Sequence, residues 1–280
     1  MGNRPLDIKL SDGRLLDLSR PIVMGILNVT PDSFFDGGQY LNATSILDQV
    51  EKMLRDGAAI IDIGGASSRP GSVVVSESEE LERIIPNIEL VQKKFPKAVI
   101  SVDTWRANVA IAAVRVGAQI VNDISAGSLD PKMFESVAKL GSPYILMHMQ
   151  GSPDMMQQNP HYEDVVTEIL DFFIQKTEVL RAHGVKDIIL DPGFGFGKTV
   201  EHNFELLKNL HVFENVLGMP VLAGLSRKSM ICKPLKIKPE EALNGTSALH
   251  MVALQQGARI LRAHDVREAM EVIHLWELLK

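Results

Sequence analysis

Apolar residues along the chain fall into two alternating patterns. Short runs of β-branched and aliphatic residues recur at "IVMGILN", "AAIIDIGG", "AVISVDT", "AQIVNDI", "YILMHM", "DIILDPG", "PVLAGLS" and "ARILRAHD", each with the length and composition of a strand. Between them the apolar positions switch to steps of three and four. Ile46, Leu47, Val50, Met53 and Leu54 follow the first run and predict a helix that ends near Gly57. The Gly-Ala pair at such a helix end returns at 57, 117 and 257, spacings of 60 and 140 that equal two and four units of roughly 30 to 35 residues. One unit of that length holds one strand and one helix.

Eight strands alternating with helices allow an open doubly wound sheet or a closed barrel. A dinucleotide-binding sheet should carry G-x-G-x-x-G after its first strand, where this chain has "GILNVTPDS", and about 250 residues for eight units suits a (β/α)8 barrel. The expected fold is therefore α/β, a (β/α)8 TIM barrel in which residues 1–280 form a single domain. A short N-terminal hairpin is expected outside the repeat, with "SDG" as the turn between "DIKL" and "RLLDLS". At 280 residues, 45% of them hydrophobic, the chain is long enough to bury roughly 75% of its unfolded surface.

Composition narrows the partners. Cys232 is the only cysteine, which excludes an internal disulfide framework and suits a reducing compartment. The N-terminus has no apolar run of signal-peptide length and no segment approaches about 18 apolar residues, so a cytoplasmic protein without a membrane partner is expected. A formal charge of -6 offers no basic field for nucleic acid, and any anionic substrate must be held by local positive groups.

In a barrel the C-terminal ends of the strands converge on one mouth. Here those ends read Asn28, Ser67-Ser68-Arg69, Asp103, Asn122, His148, Asp191, Ser226-Arg227-Lys228, then Arg262 and His264. Any one of them is ordinary as a helix cap or turn residue; a polar group at all eight ends is not. Arg69, Arg262 and His264, with Asp32 and Asp36 of the loop "NVTPDSFFDGG", make an anion site that recruits a hard cation such as Mg2+, with Asn28 as a neutral oxygen ligand. Asp103, Asn122, Asp191 and Lys228 suit a flat heterocycle rich in N–H donors, of which a pterin is one. "DPGFGFGKT" is no Walker loop, because Pro192 stands where the first glycine is needed, and it reads as a flexible loop whose Phe194 or Phe196 covers a ring. Lys228 as a Schiff-base lysine is the alternative to its place in the polar pocket.

The motifs "MGILNVTPDSFFDGG", "DIGGASSRPGS", "SVDT", "VNDISAG", "LMHMQG", "LDPGFGFGK", "GLSRKS" and "LRAHDV", spread from about residue 20 to 266, together resemble the dihydropteroate synthase family. The resemblance implies a (β/α)8 barrel that joins 6-hydroxymethyl-7,8-dihydropterin pyrophosphate to p-aminobenzoate with Mg2+, as a homodimer. It puts the pterin pocket on Asp103, Asn122, Asp191 and Lys228, with Met147 beneath the ring and Arg262 across its other face. It puts pyrophosphate and metal on Asn28, Asp36, Ser68, Arg262 and His264, and aminobenzoate on Phe34, Arg69, Pro70, Phe196, Lys228 and Ser229. Three positions depart from the family's usual motifs: Ala66 stands for Glu, Ser68 for Thr and Phe35 for Ser.

The implied reaction is pyrophosphate departure, leaving a cation delocalised into the pterin, followed by amine attack. Two rivals share the barrel. A methyltransferase acting on methyltetrahydrofolate and a corrinoid protein has no use for a pyrophosphate clamp, and a binding barrel that has lost activity has no need of intact loop carboxylates, Lys228 and Arg262.

Overall fold

The computed structural model describes residues 7–29, 38–66, 75–151 and 160–279. The chain opens with an antiparallel hairpin, β1 (Asp7–Lys9) and β2 (Leu15–Asp17). Its "SDG" turn closes through Gly13 at φ 88°, a conformation that glycine adopts without the Cβ clash of other residues.

Eight parallel strands follow: β3 (Ile22–Asn28), β4 (Ala58–Gly64), β5 (Val99–Asp103), β6 (Ile120–Asp123), β7 (Tyr144–Met147), β8 (Ile188–Asp191), β9 (Leu222–Ala223) and β10 (Ile260–Ala263). They pair in the order β8-β7-β6-β5-β4-β3-β10-β9, and a parallel bridge from Leu190 to Val221 joins the two ends of that series. Each of the eight apolar runs contains one of these strands, and the barrel and the hairpin are both as the sequence implies.

Between the strands stand α1 (Gly38–Arg55), α2 (Glu77–Lys94), α3 (Ala107–Arg115), α4 (Met133–Leu140) and α5 (Val165–His183). After β8 come α6 (Val200–Lys208) and α7 (His211–Leu217); after β9, α8 (Ser229–Leu235) and α9 (Leu243–Gln255); after β10, α10 (Val266–Glu277). Local chemistry sets several of their ends. Ser76 and Glu79 form a capping box on α2, the Asp164 side chain accepts from the Val166 and Thr167 amides at the start of α5, and Gly184 ends α5 at φ 97°. On α1 the spacing places Ile46, Val50 and Met53 inward, and all three are buried.

Period-two alternation divides the strands between two cores. Outward-facing Val23, Leu27, Ile61, Ile63, Ile100, Val102, Val121, Leu146, Leu190 and Leu261 pack beneath the helices. Inward-facing Met24, Ile60, Ile120, Ile145, Ile189, Leu222 and Ile260 form a separate apolar layer, capped by Ile8, Leu10, Leu16 and Leu18 of the hairpin. The hairpin thus floors the N-terminal end of the barrel. Each such side chain taken from water contributes roughly 1.5–3 kcal/mol. Above that floor the inward positions turn polar, with Asp62, Ser101, Asn122 and Asp191 all buried. Among the described residues no helix is long and apolar enough to cross a membrane.

Candidate active site

Register brings the strand ends to one level. Asn28 pairs with Gly64, Gly64 with Asp103, Asp103 with Asn122, and Met147 with Asp191. Arg262, inward on β10, bridges the ring: its Nε donates to Asp62 Oδ2 at 2.7 Å and its Nη2 to Asp103 Oδ2 at 2.8 Å. Asn122 Nδ2 donates to the same Asp62 oxygen at 3.0 Å. Asp62 was not singled out in the sequence. The signal was there: a carboxylate between Ile61 and Ile63 shares a face with Ile60 and Gly64, and a fully buried Asp needs a charged or hydrogen-bonding partner. Asp62 Oδ1 and Ser101 Oγ, side chains of register partners inside the barrel, find no hydrogen-bond partner among the described residues.

Across the mouth, Asp191 and Lys228 form the second half of the ring. Gly224 lies between them: a Cβ there would sit 3.6 Å from Lys228 Nζ and 4.0 Å from Asp191 Oδ2. The Gly193 amide donates to Asp191 Oδ1 at 2.8 Å. Lys228 Nζ donates to the Phe194 carbonyl and stands 4.8 Å from the centroid of the Phe196 ring, within cation–π range.

Burial dominates the proton affinities here. It raises Asp103 to about 7, with Arg262 opposing and the Asp62 and Glu80 carboxylates adding to the rise. Asp191 is raised by burial too, against the pull of Lys228, the Gly193 amide, Arg262 and Lys198. Lys228 is lowered by burial to about 8, with Asp191 opposing. For Arg262 burial works against the charge, but Asp62 and Asp103 outweigh it and hold the guanidinium above its ordinary value.

The remaining expected positions divide. Met147 is buried at the end of β7, and Ser229 opens α8 directly after Lys228. Asn28 is exposed at the end of β3. His264 is tied to the neighbouring loop, its Nδ1 2.9 Å from Ser226 Oγ and its amide donating to that hydroxyl at 3.2 Å. Arg227, one of the expected rim cations, instead forks onto Asp265 with bonds of 3.0 and 2.6 Å, from a backbone at φ 57°. Asp123, beside Asn122, faces outward and shapes the turn after β6, accepting from the Ser125 and Gly127 amides and from Tyr144 Oη. Phe194 does not cover a ring: it is fully buried beneath the helices, and only half-buried Phe196 stands at the mouth. Phe34, Asp36, Ser68, Arg69 and Pro70, with Asp32 and Phe35, lie outside the described residues.

Residues 24–264 match the family model described as pterin binding enzyme. The chain belongs to the pterin-binding enzyme family. Within that family its likeness is to dihydropteroate synthases. The curated dihydropteroate synthase of Haemophilus influenzae is 47% identical over 269 residues, covering 95% of this chain and 97% of the relative. The solved structure of the Xanthomonas albilineans dihydropteroate synthase with 4-aminobenzoic acid aligns with a TM-score of 0.91 at 39% identity, covering 99% of this chain and 98% of that one. The same enzyme in complex with 7,8-dihydropteroate aligns at 0.87 and 38% identity, covering 98% of each chain. Among pterin-binding enzymes, the ring of Asp62, Asp103, Asn122, Asp191, Lys228 and Arg262 sits where barrel enzymes do their chemistry.

Proposed function

We infer that this chain is a transferase that condenses 6-hydroxymethyl-7,8-dihydropterin pyrophosphate with p-aminobenzoate, giving 7,8-dihydropteroate and pyrophosphate. The observation that carries the reading is the buried polar ring at the strand ends of a chain so similar, over almost its whole length, to synthases that bind the aminobenzoate substrate and the dihydropteroate product.

Asp103, Asn122 and Asp191 face the pterin edge, where an ionised carboxylate accepts paired bonds from amino and ring N–H groups. Met147 lies against one face of the ring and Arg262 against the other. The carbon–oxygen bond of the methylene breaks with its electron pair going to pyrophosphate, and the cation left behind is delocalised into the ring. Asp103 and Asp191 stabilise that charge most as it develops. The aminobenzoate nitrogen then adds its lone pair to the methylene carbon and loses a proton to water. Ser68, Arg262 and His264 hold the pyrophosphate; Phe34, Arg69, Pro70, Phe196, Lys228 and Ser229 enclose the aminobenzoate. With a pKa of about 8, Lys228 is protonated at neutral pH and faces the aminobenzoate as a cation.

Mg2+ is part of the proposal. Among the described residues no three His, Cys, Asp or Glu side chains are grouped to hold a metal, and Asn28 presents a hard amide oxygen at the exposed end of β3. That donor set fits an ion carried in mainly by pyrophosphate and water, with Asn28 and Asp36 as its protein ligands. Bound there, Mg2+ would offset the charge of the leaving group.

We further propose a homodimer, with exposed Leu275, Leu278 and Leu279 at the end of α10 as available apolar surface, and a single cytoplasmic domain over 1–280. Incubation with both substrates and Mg2+ should yield dihydropteroate and pyrophosphate in equal amounts. Pterin consumption without pyrophosphate release would overturn the reading, and methyl transfer from methyltetrahydrofolate would replace it.

A further inference from the structure

Lys198 is 3% exposed, although a lysine is almost never buried without a carboxylate partner. Its described hydrogen bonds reach no carboxylate. Nζ donates to the Gly193 carbonyl at 2.9 Å, the Phe196 carbonyl at 3.0 Å and the His148 carbonyl at 3.4 Å, and sits 3.0 Å from His148 Nδ1. The imidazole is neutral, since burial and then the nearby lysine push its pKa down to about 2, and it is wedged edge-on against the Phe172 ring at 4.9 Å. A single nitrogen therefore staples residues 193–196 to the end of β7.

The stapled segment holds the substrate-facing groups. The Gly193 amide orients Asp191, and the Phe194 carbonyl orients Lys228. A Cβ at Gly195 would lie 3.4 Å from Lys228 Cδ, and one at Gly193 only 1.9 Å from the His148 carbonyl oxygen. The loop is thus pressed against β7 on one side and against Lys228 on the other. We propose that Lys198, held by His148, is a positioning residue for the pterin pocket: it sets the loop whose amide aims Asp191 and whose carbonyl aims Lys228. Neither Lys198 nor His148 touches substrate in this account. In sequence this lysine is indistinguishable from the Walker-like pattern around it; what marks it is that its bonds go to the backbone that aims Asp191 and Lys228.

The proposal rests on the pterin reading, so the parent chain's affinity for pterin pyrophosphate is measured first by calorimetry; no binding there would defeat that reading, independently of Lys198. In Lys198→Met the stem is kept and the staple lost, and pterin affinity should fall about tenfold or more at a temperature where the variant is fully folded by circular dichroism. His148→Phe keeps the ring packing and the backbone carbonyl but removes the nearer, ring acceptor, and should show a loss in the same direction. His148→Asn restores an acceptor near the Nδ1 position and should recover most of it. KM for pterin pyrophosphate should rise more than KM for aminobenzoate. Pterin affinity within twofold of the parent in Lys198→Met, or in His148→Phe should the former fail to fold, with only Tm lowered, would reduce the staple to a stability element and overturn the inference. Equal loss in His148→Phe and His148→Asn would also overturn it.

Discussion

The two ends of the barrel are built from the same strands by opposite rules. At the floor, Met24, Ile60, Ile120, Ile145, Ile189, Leu222 and Ile260 meet the hairpin in a wholly apolar layer. A few residues further along, the inward positions carry Asp62, Asp103, Asn122, Asp191 and Arg262, with Asp103 and Asp191 raised by burial and with Asp62 Oδ1 and Ser101 Oγ finding no partner among the described residues. The floor gains stability from every group it buries, whereas the mouth holds charges whose burial is offset by each other and by a few backbone and amide groups. One end stabilises the fold so that the other can keep an arrangement poised for a ligand.

That contrast can be broken at the mouth first. Arg262→Met leaves Asp62 and Asp103 buried without their cation, and unfolding free energy should drop by ~3–5 kcal/mol with turnover abolished, as denaturant titration and product assay would register. The floor should respond in stability alone. Ile145→Ala, which deletes a fully buried side chain, should cost ~2–5 kcal/mol while kcat/KM at a low temperature stays near the parent value; a matching fall in kcat/KM would mean that the two ends are coupled.

A gentler change sharpens the comparison. Asp191→Asn keeps the shape and removes the charge, and should weaken pterin binding by ~1.5–3 kcal/mol in calorimetry with little change in Tm. The smallest effect is in pH. Lys228 has its pKa lowered by burial from 10.5 to about 8, so kcat/KM should fall as pH rises through 8 and the lysine loses its proton. The same shift acts on stability with the opposite sign: below pH 8 both folded and unfolded chains carry the proton and the burial cost is present in full, and between about 8 and 10.5 that cost is relieved. Lys228→Met should therefore remove a rise in unfolding free energy over that window, and a rise that persists would assign it to another group.

Much of this was legible in the residues. Strands betray themselves by local composition, so all eight runs could be placed, and the rule that barrel strand ends share a rim gathered Asp103, Asn122, Asp191, Lys228 and Arg262 before any contact was known. Asp62 escaped because it is mid-strand, and its meaning comes from a guanidinium 200 positions away in the chain. Arg227 shows the same limit: in sequence a rim arginine looks the same whether it faces an anion or forks onto Asp265.

By itself, then, the order of amino acids determined the barrel, its hairpin and the set of strand ends from which a site is made, because hydrophobic period and turn residues act over a few positions. Only the tertiary structure decided which polar groups pair, as Arg262 does with Asp62 and Asp103, and which backbone the buried Lys198 holds. Those choices depend on side chains brought within about 3 Å across the barrel, and short-range pattern carries no record of such distances.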